Sequence, residues 1–424
     1  MREMKDSGIA WIGEIPLYWD CIRLKDKWTN KKEIAGNRSD QYARLALTLG
    51  GVIERPKDDV DGLQPKDFVS YQILHKNDFV FKMIDLKNYS TSRVGLSFHT
   101  GLVSPAYIRF VPNSDVQCFK FTYYFLMSMY YFHVYNSIGD DGVRSSLSAS
   151  DIGNFYIPWP CWSEQNTIAN FLDDKCAEID ALSSNIQAQI ETLEQYKRSV
   201  ISEAVTRGLD PNVPMKDSGI AWVKQIPKHW SVIPSKYLFH NSDTRKYPGD
   251  EQLTASQRHG IITQREYMER ENAKVVFATQ GLDNWKHVKP NDFVISLRSF
   301  QGGLEMSETT GCITWHYVVL EASKPIYPPF YKWLFKSVQY INALQGTCNF
   351  IRDGQDLRFS NFSKVPLYEP PMVEQKAIAD YLDAKCTEID QTIAQKQEQL
   401  ATLADYKKSL IYEYVTGKKE VPVP

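Results

Sequence analysis

Two carboxylates and a lysine lie close together in the first quarter of the chain and could support metal-assisted hydrolysis. Asp78 is followed by Asp85 and Lys87, and such a set can bind a metal ion that activates water. This reading predicts a nuclease. The second copy of the stretch argues against it, because "NDFVISLRSF" at 291–300 keeps Asp292 but carries no second acid and no lysine.

Other catalytic patterns are missing from the sequence. No GxGxxG follows a predicted strand, no HExxH occurs, and "VTGKK" near residue 417 lacks the first glycine of a phosphate-binding loop. The seven cysteines form no CxxC pair, so Cys176 and Cys386, each in a "K-C-x-E-I-D" context, are expected in a helix seam rather than at a metal. We therefore interpret the chain as a non-enzyme without a metal site.

The chain of 424 residues repeats itself at a distance of about 210 residues. "KDSGIAW" at 5–11 returns at 216–222, and "IPLYW" at 15–19 returns as "IPKHW". "EQNTIANFLDDKCAEID" at 164–180 returns as "EQKAIADYLDAKCTEID", and "LEQYKRSVISEAVT" at 193–206 as "LADYKKSLIYEYVT". The stretches between these repeated segments are far less alike. We call the repeated segments the frame, or its joints, and the variable stretches between them the bodies. The pattern indicates one frame that carries two different bodies.

The repeated stretches 163–208 and 373–418 each predict one long helix. Apolar residues recur with 4,3 spacing, neither Pro nor Gly interrupts them, and Gly208 and Gly417 follow as stops. Each helix would be roughly 65 Å long at about 1.5 Å per residue. Such a stripe needs a partner, so we expect the two helices to pack as a coiled coil; separate helices, each packed on its own domain, are the alternative. The stripe includes Leu182, and its predicted packing positions are Leu172, Ile179, Ile186, Leu193, Leu382, Ile389, Ile393, Leu400 and Leu403.

Each body between the joints predicts an α+β globule. Short strand-like runs such as "DFVFKMI" and "DFVISL" alternate with turns, and one apolar helix lies near the end of each body. The net charge of the chain is −2, but both bodies are slightly basic and the acidity lies in the connecting segments. This distribution permits two basic faces for nucleic acid.

The duplicated set of motifs resembles the specificity subunit of type I restriction-modification systems. The resemblance rests on the "GIAWIGEIPLYW" opening, the "IPWPCWSEQ" and "VPLYEPPMVEQ" approaches and the "YKRSVISEAVTRG" helix end, and it covers essentially the whole chain. It implies an α+β fold with two globular target recognition domains in a tandem pseudo-two-fold repeat, separated by two long antiparallel coiled-coil helices. The expected division is domain 1 at 1–162, a central spacer helix at 163–208, domain 2 at 209–372, a C-terminal spacer helix at 373–418 and a tail at 419–424.

The resemblance also implies the partners. Each domain would read one half of a bipartite site in double-stranded DNA, and the helices would set the spacing and dock two methyltransferase subunits. Those subunits would supply S-adenosylmethionine and methylate an adenine extruded from the duplex. Motor-nuclease restriction subunits would supply ATP-driven, Mg-dependent translocation and cleavage, while this chain binds no cofactor. We expect a cytoplasmic protein with no membrane contact.

Basic and amide side chains in three pairs of loops are the candidates for DNA contact. Cations and small donors can bind phosphates, whereas forked and amide groups can read bases. A solvated surface role is the alternative for each residue, and His259 also suits a turn. The candidates in the first body are Thr48, Arg55, Lys82, Lys87, Asn88, Tyr89, Ser92, Arg93, Arg144, Ser145 and Ser146; those in the second body are Ser256, Gln257, Arg258, His259, Arg298, Ser299, Gln301, Arg352, Gln355 and Arg358.

Two rival functions remain at this stage. A protein-binding adaptor built on a coiled coil would suit the mild charge of the chain, and the nuclease would use Asp78, Asp85 and Lys87. Trp11 and Trp222 in the repeated opening are expected to anchor each start against its helix or module, rather than to read DNA.

Overall fold

The computed structural model describes residues 2–59, 67–86, 93–114, 116, 118–138, 146–275, 277–296, 299–347 and 357–422. Contacts divide the chain into two compact units. Unit 1 comprises residues 1–186 and 398–424, and unit 2 comprises residues 187–397. The expected α+β class with tandem domains and two long helices is confirmed.

The described residues of unit 1 form two four-stranded sheets and two strand pairs. The sheet orders are β6-β5-β10-β7 and β4-β11-β8-β9, and β1 pairs with β2 and β3 with β12. The strands are β1 (Met4–Ile9), β2 (Gly13–Pro16), β3 (Asp20–Arg23), β4 (Trp28–Asn30), β5 (Ala43–Thr48), β6 (Gly51–Arg55), β7 (Gln72–Leu74), β8 (Phe79–Lys82), β9 (Arg93–Leu96), β10 (Gly101–Val103), β11 (Ile108–Pro112) and β12 (Tyr156–Trp159). The helices are α1 (Leu24–Lys27), α2 (Phe119–Tyr131), α3 (Val134–Ile138), α4 (Ala149–Gly153) and the long α5 (Trp162–Arg207), with a 3-10 turn at Gly36–Gln41.

Unit 2 has a similar order of elements, with two additional short helices after its sixth and eighth strands. Its largest sheet has the order β16-β23-β20-β21, and four strand pairs accompany it, β13-β14, β15-β24, β17-β18 and β19-β22. The strands are β13 (Met215–Ile220), β14 (Val223–Pro227), β15 (Ser231–Ile233), β16 (Phe239–Ser242), β17 (Leu253–Ser256), β18 (Gly260–Thr263), β19 (Lys286–Val288), β20 (Phe293–Ile295), β21 (Glu305–Met306), β22 (Gly311–Ile313), β23 (Val318–Ala322) and β24 (Leu367–Glu369). The helices are α6 (Ser235–Leu238), α7 (Gln264–Glu271), α8 (Ser299–Gly302), α9 (Pro328–Lys336), α10 (Val338–Gln345), α11 (Phe359–Phe362) and α12 (Met372–Val415), with a 3-10 turn at Leu282–Asn284.

The strand after each "ND" turn contributes side chains to two separate hydrophobic cores, one on each of its faces. In β8, Phe79 and Phe81 enter the large core of unit 1, while Val80 enters a smaller core with Leu45 and Leu47. In β20, Phe293 and Ile295 face one core of unit 2 and Val294 faces another. Side chains of a strand alternate between its two faces, so a strand buried on both sides reads as a continuous apolar run.

Each unit contains an antiparallel pair of long-helix segments. In unit 1 the rings of Phe171 and Tyr414 lie 4.6 Å apart, and Lys407 binds Asp180 at 2.6 Å. In unit 2, Lys197 binds Asp390 at 2.6 Å, and Lys396 donates to Gln189. The residue numbers of the partners run in opposite directions, which defines the antiparallel sense. The alternative of helices that pack only on their own domains is wrong.

The predicted packing stripe is buried along most of its length. Leu172, Ile179, Ile186, Leu382 and Ile389 are buried, and the half-buried positions are Leu193, Ile393, Leu400 and Leu403. Leu182 departs from the prediction, because its side chain is 49% exposed. At 100° per residue Leu182 lies about 60° from Ile179 around the helix, whereas Ile186 lies only about 20° away.

Candidate nucleic-acid interface

A tryptophan and a glutamate form the same hydrogen bond in each unit. The indole Nε1 of the buried Trp19 donates to Oε2 of Glu164 at 3.0 Å, and that of Trp230 donates to Oε2 of Glu374 at 2.9 Å. The glutamates belong to the repeated "EQ" pair at the start of α5 and α12. The hydrogen bond therefore fixes the start of each long helix against the "IP-x-x-W" segment.

The other member of the "EQ" pair holds the chain that leads into the helix. Gln165 donates to the carbonyl of Pro160 at 2.9 Å, and Gln375 donates to that of Pro370 at 2.8 Å. Both glutamines are buried, so each satisfies a carbonyl group that water does not reach. The repeated "EQ" pair thus has a structural role, and its repetition needs no catalytic explanation.

The first copy of the repeated opening packs on the end of a long helix. Trp11 lies 6.0 Å from the ring of Tyr412 near the end of α12, and the hydroxyl of Tyr412 donates to the carbonyl of Trp11 at 3.3 Å. Gly417, with a φ of +70°, stops the helix against Pro16 and Trp19. Within unit 2, Gly208 ends α5 against Trp230 in the same way. The opening is part of the frame, as expected for an anchor.

The "ND" turn before β8 and β20 is held by one carboxylate. Asp78 accepts from the backbone N–H of His75 at 2.7 Å, and Asp292 accepts from that of Lys289 at 2.9 Å. The preceding Asn77 and Asn291 have φ values of 72° and 73°, a left-handed conformation that asparagine tolerates. Both aspartates are buried, and burial raises the pKa of Asp78 and raises that of Asp292 to about 6.

The carboxylate of Asp78 is engaged in a structural ion pair. Arg109 Nε donates to Asp78 Oδ2 at 2.6 Å, and Arg109 also binds Glu33 at 3.3 Å. Strand register places Val319 at the position in unit 2 that corresponds to Arg109. Lys87 lies outside the described residues, and no cluster of metal-binding side chains occurs within the described part of the chain. The arrangement around Asp78 therefore gives no support to a nuclease site.

The two cysteines of the repeated helix motif are core residues. Cys176 and Cys386 are buried, and burial raises the pKa of each thiol to about 11. A thiol that stays protonated is a poor nucleophile and a poor metal ligand.

Several candidates for DNA contact in unit 1 lie at the same end of its two four-stranded sheets. Lys82 and Arg93 are directly opposite each other on β8 and β9, and Ser146 bridges to Ile84 just after β8. Thr48 fixes the tip of the β5–β6 hairpin, where its hydroxyl donates to the carbonyl of Gly51 at 2.9 Å. This end of unit 1 thus combines a hairpin tip, two strand ends and a connecting loop.

The hairpin of unit 1 has a defined direction across β9. Its Leu47 and Val52 pack over Gly95, and Glu54 binds His99 at 3.2 Å beyond the end of β9. Thr48 therefore lies toward the Arg93 end, whereas Arg55 lies at the opposite end of the hairpin. There Arg55 faces Asp59 at 3.7 Å.

The corresponding hairpin in unit 2 lines a cleft of about 570 Å³. Gln257, Arg258 and His259 form its tip, and Lys332 and Lys336 of α9 line the same cleft. Ser256 accepts from the backbone N–H groups of Arg258 and His259, and so shapes the turn. Glu271 binds His259 at 2.6 Å and Arg258 at 3.1 Å, but the side chain of Arg258 remains 78% exposed. The tip presents one well-exposed cation beside a held histidine.

The α8 segment lies against this hairpin tip. A Cβ at Gly302 would come within 2.8 Å of the Gln257 side chain, so the glutamine packs directly over α8. Gln301 on the same helix is exposed. Ser299 is buried and accepts from the backbone N–H of Ser296 at 2.8 Å, which fixes the entry to the helix. Arg358 is exposed at the N-cap of α11.

The remaining candidates lie outside the described residues. They are Lys87, Asn88, Tyr89, Ser92, Arg144, Ser145, Arg298, Arg352 and Gln355.

The structure adds basic and aromatic residues that the sequence patterns missed. Lys31 and Lys32 directly follow β4, whereas Arg245 and Lys246 lie three and four residues after the end of β16. Trp315 lies in the turn before β23 and is 53% exposed. A basic pair soon after the same strand in both bodies was the available signal, but the bridges align Arg245 with Ile34 and not with Lys31. Among the described residues, no helix is long and apolar enough to cross a membrane.

Comparisons with known proteins agree with this construction. Residues 24–192 match the family model of the type I restriction modification DNA specificity domain. The chain is 24% identical to the type I restriction enzyme MjaX specificity subunit of Methanocaldococcus jannaschii, over 97% of this chain and 96% of that protein.

A solved structure shows the same fold. A chain from a study of complex assembly and conformational transition of the type I restriction-modification system matches with a TM-score of 0.66 at 12% identity, covering 96% of this chain and 99% of that one. The HsdS subunit from Thermoanaerobacter tengcongensis matches with a TM-score of 0.48 at 14% identity, covering 96% and 98%.

Each of the two units thus combines a pair of long-helix segments with its own set of loops at the sheet ends. Residues 24–192 match the DNA specificity domain of type I restriction-modification systems, and almost the whole chain is similar to a specificity subunit of such a system.

Proposed function

We propose that this chain is the DNA-recognition subunit of a type I restriction-modification complex and has no catalytic activity of its own. Each unit reads one half of a bipartite site. Phosphate contacts position the duplex, and base contacts at the sheet ends select the sequence. The contacting residues are members of the candidate set that reach the surface, among them the half-buried Lys82 and the exposed Ser146 in unit 1, and the exposed Arg258, Gln301 and Arg358 in unit 2.

One observation carries this proposal: the frame is the same in both units, while the sheet ends differ. The Trp19–Glu164 and Trp230–Glu374 hydrogen bonds agree within 0.1 Å. At the sheet ends, the turn Ser104–Tyr107 of unit 1 contains Pro105 and Ala106, where unit 2 has Trp315 and His316. Two units with the same frame and different sheet ends suit a protein that binds two different half-sites in an equivalent manner.

The frame also suggests the partners. We propose residues 1–162 and 209–372 as the recognition domains, and 163–208 and 373–418 as the spacer that docks two methyltransferase subunits. S-adenosylmethionine, ATP and Mg²⁺ would act on the methyltransferase and motor-nuclease subunits. The place of action is the cytoplasm, where the DNA target is.

Mapping of methylated adenines tests the proposal. Cells that express this chain with its methyltransferase subunits should carry one bipartite modified sequence, and cells without the chain should carry none. Exchange of residues 20–160 for the matching body of another specificity subunit should change one half of that sequence. An exchange of residues 230–370 is the matched control and should change the other half.

Two results would contradict the proposal. Methylation of the same sequence without the chain would remove its role in recognition. A change of both half-sites after one exchange would show that the units do not read independently.

A further inference from the structure

A stacked Trp–His pair stands exposed on a tight turn of unit 2. The rings of Trp315 and His316 lie 3.6 Å apart with an interplanar angle of 28°. The backbone N–H of Tyr317 donates to the carbonyl of Thr314 at 3.1 Å, which closes the turn. An indole held by its neighbour loses little conformational freedom when it binds a ligand.

The turn lies at the sheet end that carries the candidate DNA contacts. Val318, the first residue of β23, is paired with Ile295, the last residue of β20. The chain continues from β20 through Ser296 to α8, so Trp315 lies at the same end as Gln301. Arg245 bridges to Lys286, whose strand partner is Ile313, two residues before Trp315. The indole is thus accompanied by basic residues at the edge of the sheet.

Unit 1 has the same turn without the aromatic pair. The N–H of Tyr107 donates to the carbonyl of Ser104 at 3.1 Å, as in the turn of unit 2, but Pro105 and Ala106 replace the tryptophan and histidine. The turn therefore folds without an exposed indole. A function limited to unit 2 explains its presence better than folding does.

We infer that Trp315 contacts a base of the half-site read by unit 2 through its ring face, with His316 holding the indole in place. This inference rests on the proposed DNA-reading function. In a duplex groove the ring face can pack on a base edge such as the thymine methyl group, and loss of the contacts to one base pair of a specific site costs about 1–3 kcal/mol. The neutral ring adds no phosphate contact, so it should affect affinity without changing the number of ions released.

The test uses the assembled complex of this chain with its methyltransferase subunits and a duplex that carries the mapped site. Trp315→Ala should weaken binding by about 5- to 150-fold, and the slope of log K against log salt should stay unchanged. Trp315→Phe should keep most of the affinity. On a duplex with the unit 2 half-site scrambled, the wild type and Trp315→Ala should bind equally.

Tyr237→Ala is the matched control. Tyr237 is 59% exposed and lies on α6, before β16, at the opposite end of the same sheet. It should bind DNA like the wild type. Thermal unfolding of all three variants checks that the exposed positions leave the fold intact.

Three results would overturn the inference. Wild-type affinity of Trp315→Ala would show that the indole touches no base, and equal loss on scrambled DNA would show a nonspecific contact. Failure of Trp315→Ala to assemble with the methyltransferase subunits would assign the indole to a protein interface. A wild-type complex with no preference for its site would instead refute the proposed function itself, which separates the two failures.

Discussion

Substitution of the two equivalent buried aspartates should affect stability very differently. Asp78→Asn removes the partner of Arg109, which is itself buried, at a contact of 2.6 Å. Loss of one member of a buried ion pair costs about 3–5 kcal/mol. Arg109 keeps Glu33 at 3.3 Å, so the lower end, about 3 kcal/mol, is expected.

Asp292→Asn should be nearly neutral at pH 8. Register puts Val319 where unit 1 has Arg109, and burial raises the pKa of Asp292 from its ordinary 3.8 to about 6. Keeping this group ionised in the folded state therefore costs about 3 kcal/mol above pH 6. The amide avoids that cost but adds buried donors worth about 1–3 kcal/mol, and the net change should lie within about 1 kcal/mol of zero at pH 8.

The pH dependence has a definite sign. The folded carboxyl of Asp292 binds its proton more tightly than the unfolded one, so its stabilising effect is complete below pH 3.8 and is lost as the pH rises through about 6. The free energy of unfolding of Asp292→Asn, taken relative to that of the wild type, should therefore be lower at pH 5 than at pH 8.

Urea unfolding of the full chain measures both effects. Hydrogen exchange locates them, because the amides of His75 and Lys289 donate to the two carboxylates. Equal destabilisation by both substitutions at pH 8 would refute the role assigned to Arg109. A pH-independent difference between Asp292→Asn and the wild type would refute the role assigned to burial.

Three further predictions concern the frame. Trp19→Phe and Trp230→Phe each remove an indole donor and leave a cavity, and should cost about 2–4 kcal/mol each in urea unfolding; losses that differ by more than twofold would contradict the equivalence of the joints. Lys407→Asp should cost about 0.5–1 kcal/mol, because the Lys407–Asp180 pair is partly exposed, and Asp180→Lys in the same chain should restore it; no recovery in the double variant would deny the pairing. Removal of seven residues from each of α5 and α12 should shorten the spacer by about 10 Å, near three base pairs; an unchanged distance between methylated half-sites would show that the helices are not the ruler.

The sequence predicted the frame well because its signals are local or repeated. The long helices were expected at 163–208 and 373–418 and are found at Trp162–Arg207 and Met372–Val415. Caps, stops and 4,3 spacing act within a few residues, so a pattern can reveal them. Leu182 was assigned to the stripe wrongly, since a position at the edge of an apolar stripe is buried or exposed according to what packs beside it.

The sheet ends were harder to predict because they are assembled from distant segments. The turn with Trp315 reaches the end of β20 only through the pairing of Val318 with Ile295, and Arg245 joins it through a bridge to Lys286. No local pattern reports such pairings. The hairpin also places Thr48 and Arg55 at opposite ends, although the two residues are close in sequence.

The frame owes its shape to contacts within each unit rather than to chain continuity. Unit 2 is one continuous segment in which residues 208–214 connect α5 to β13, while unit 1 is assembled from two segments more than two hundred residues apart. In unit 1, Arg2 binds both Glu164 and Glu420, and Lys418 donates to the carbonyl of Glu14. These contacts replace a short linker, whose loss costs only the modest entropy of loop closure. The joints are held by their own contacts, so the residues at the sheet ends can change without moving the frame. A protein that recognises two unrelated half-sites requires this independence.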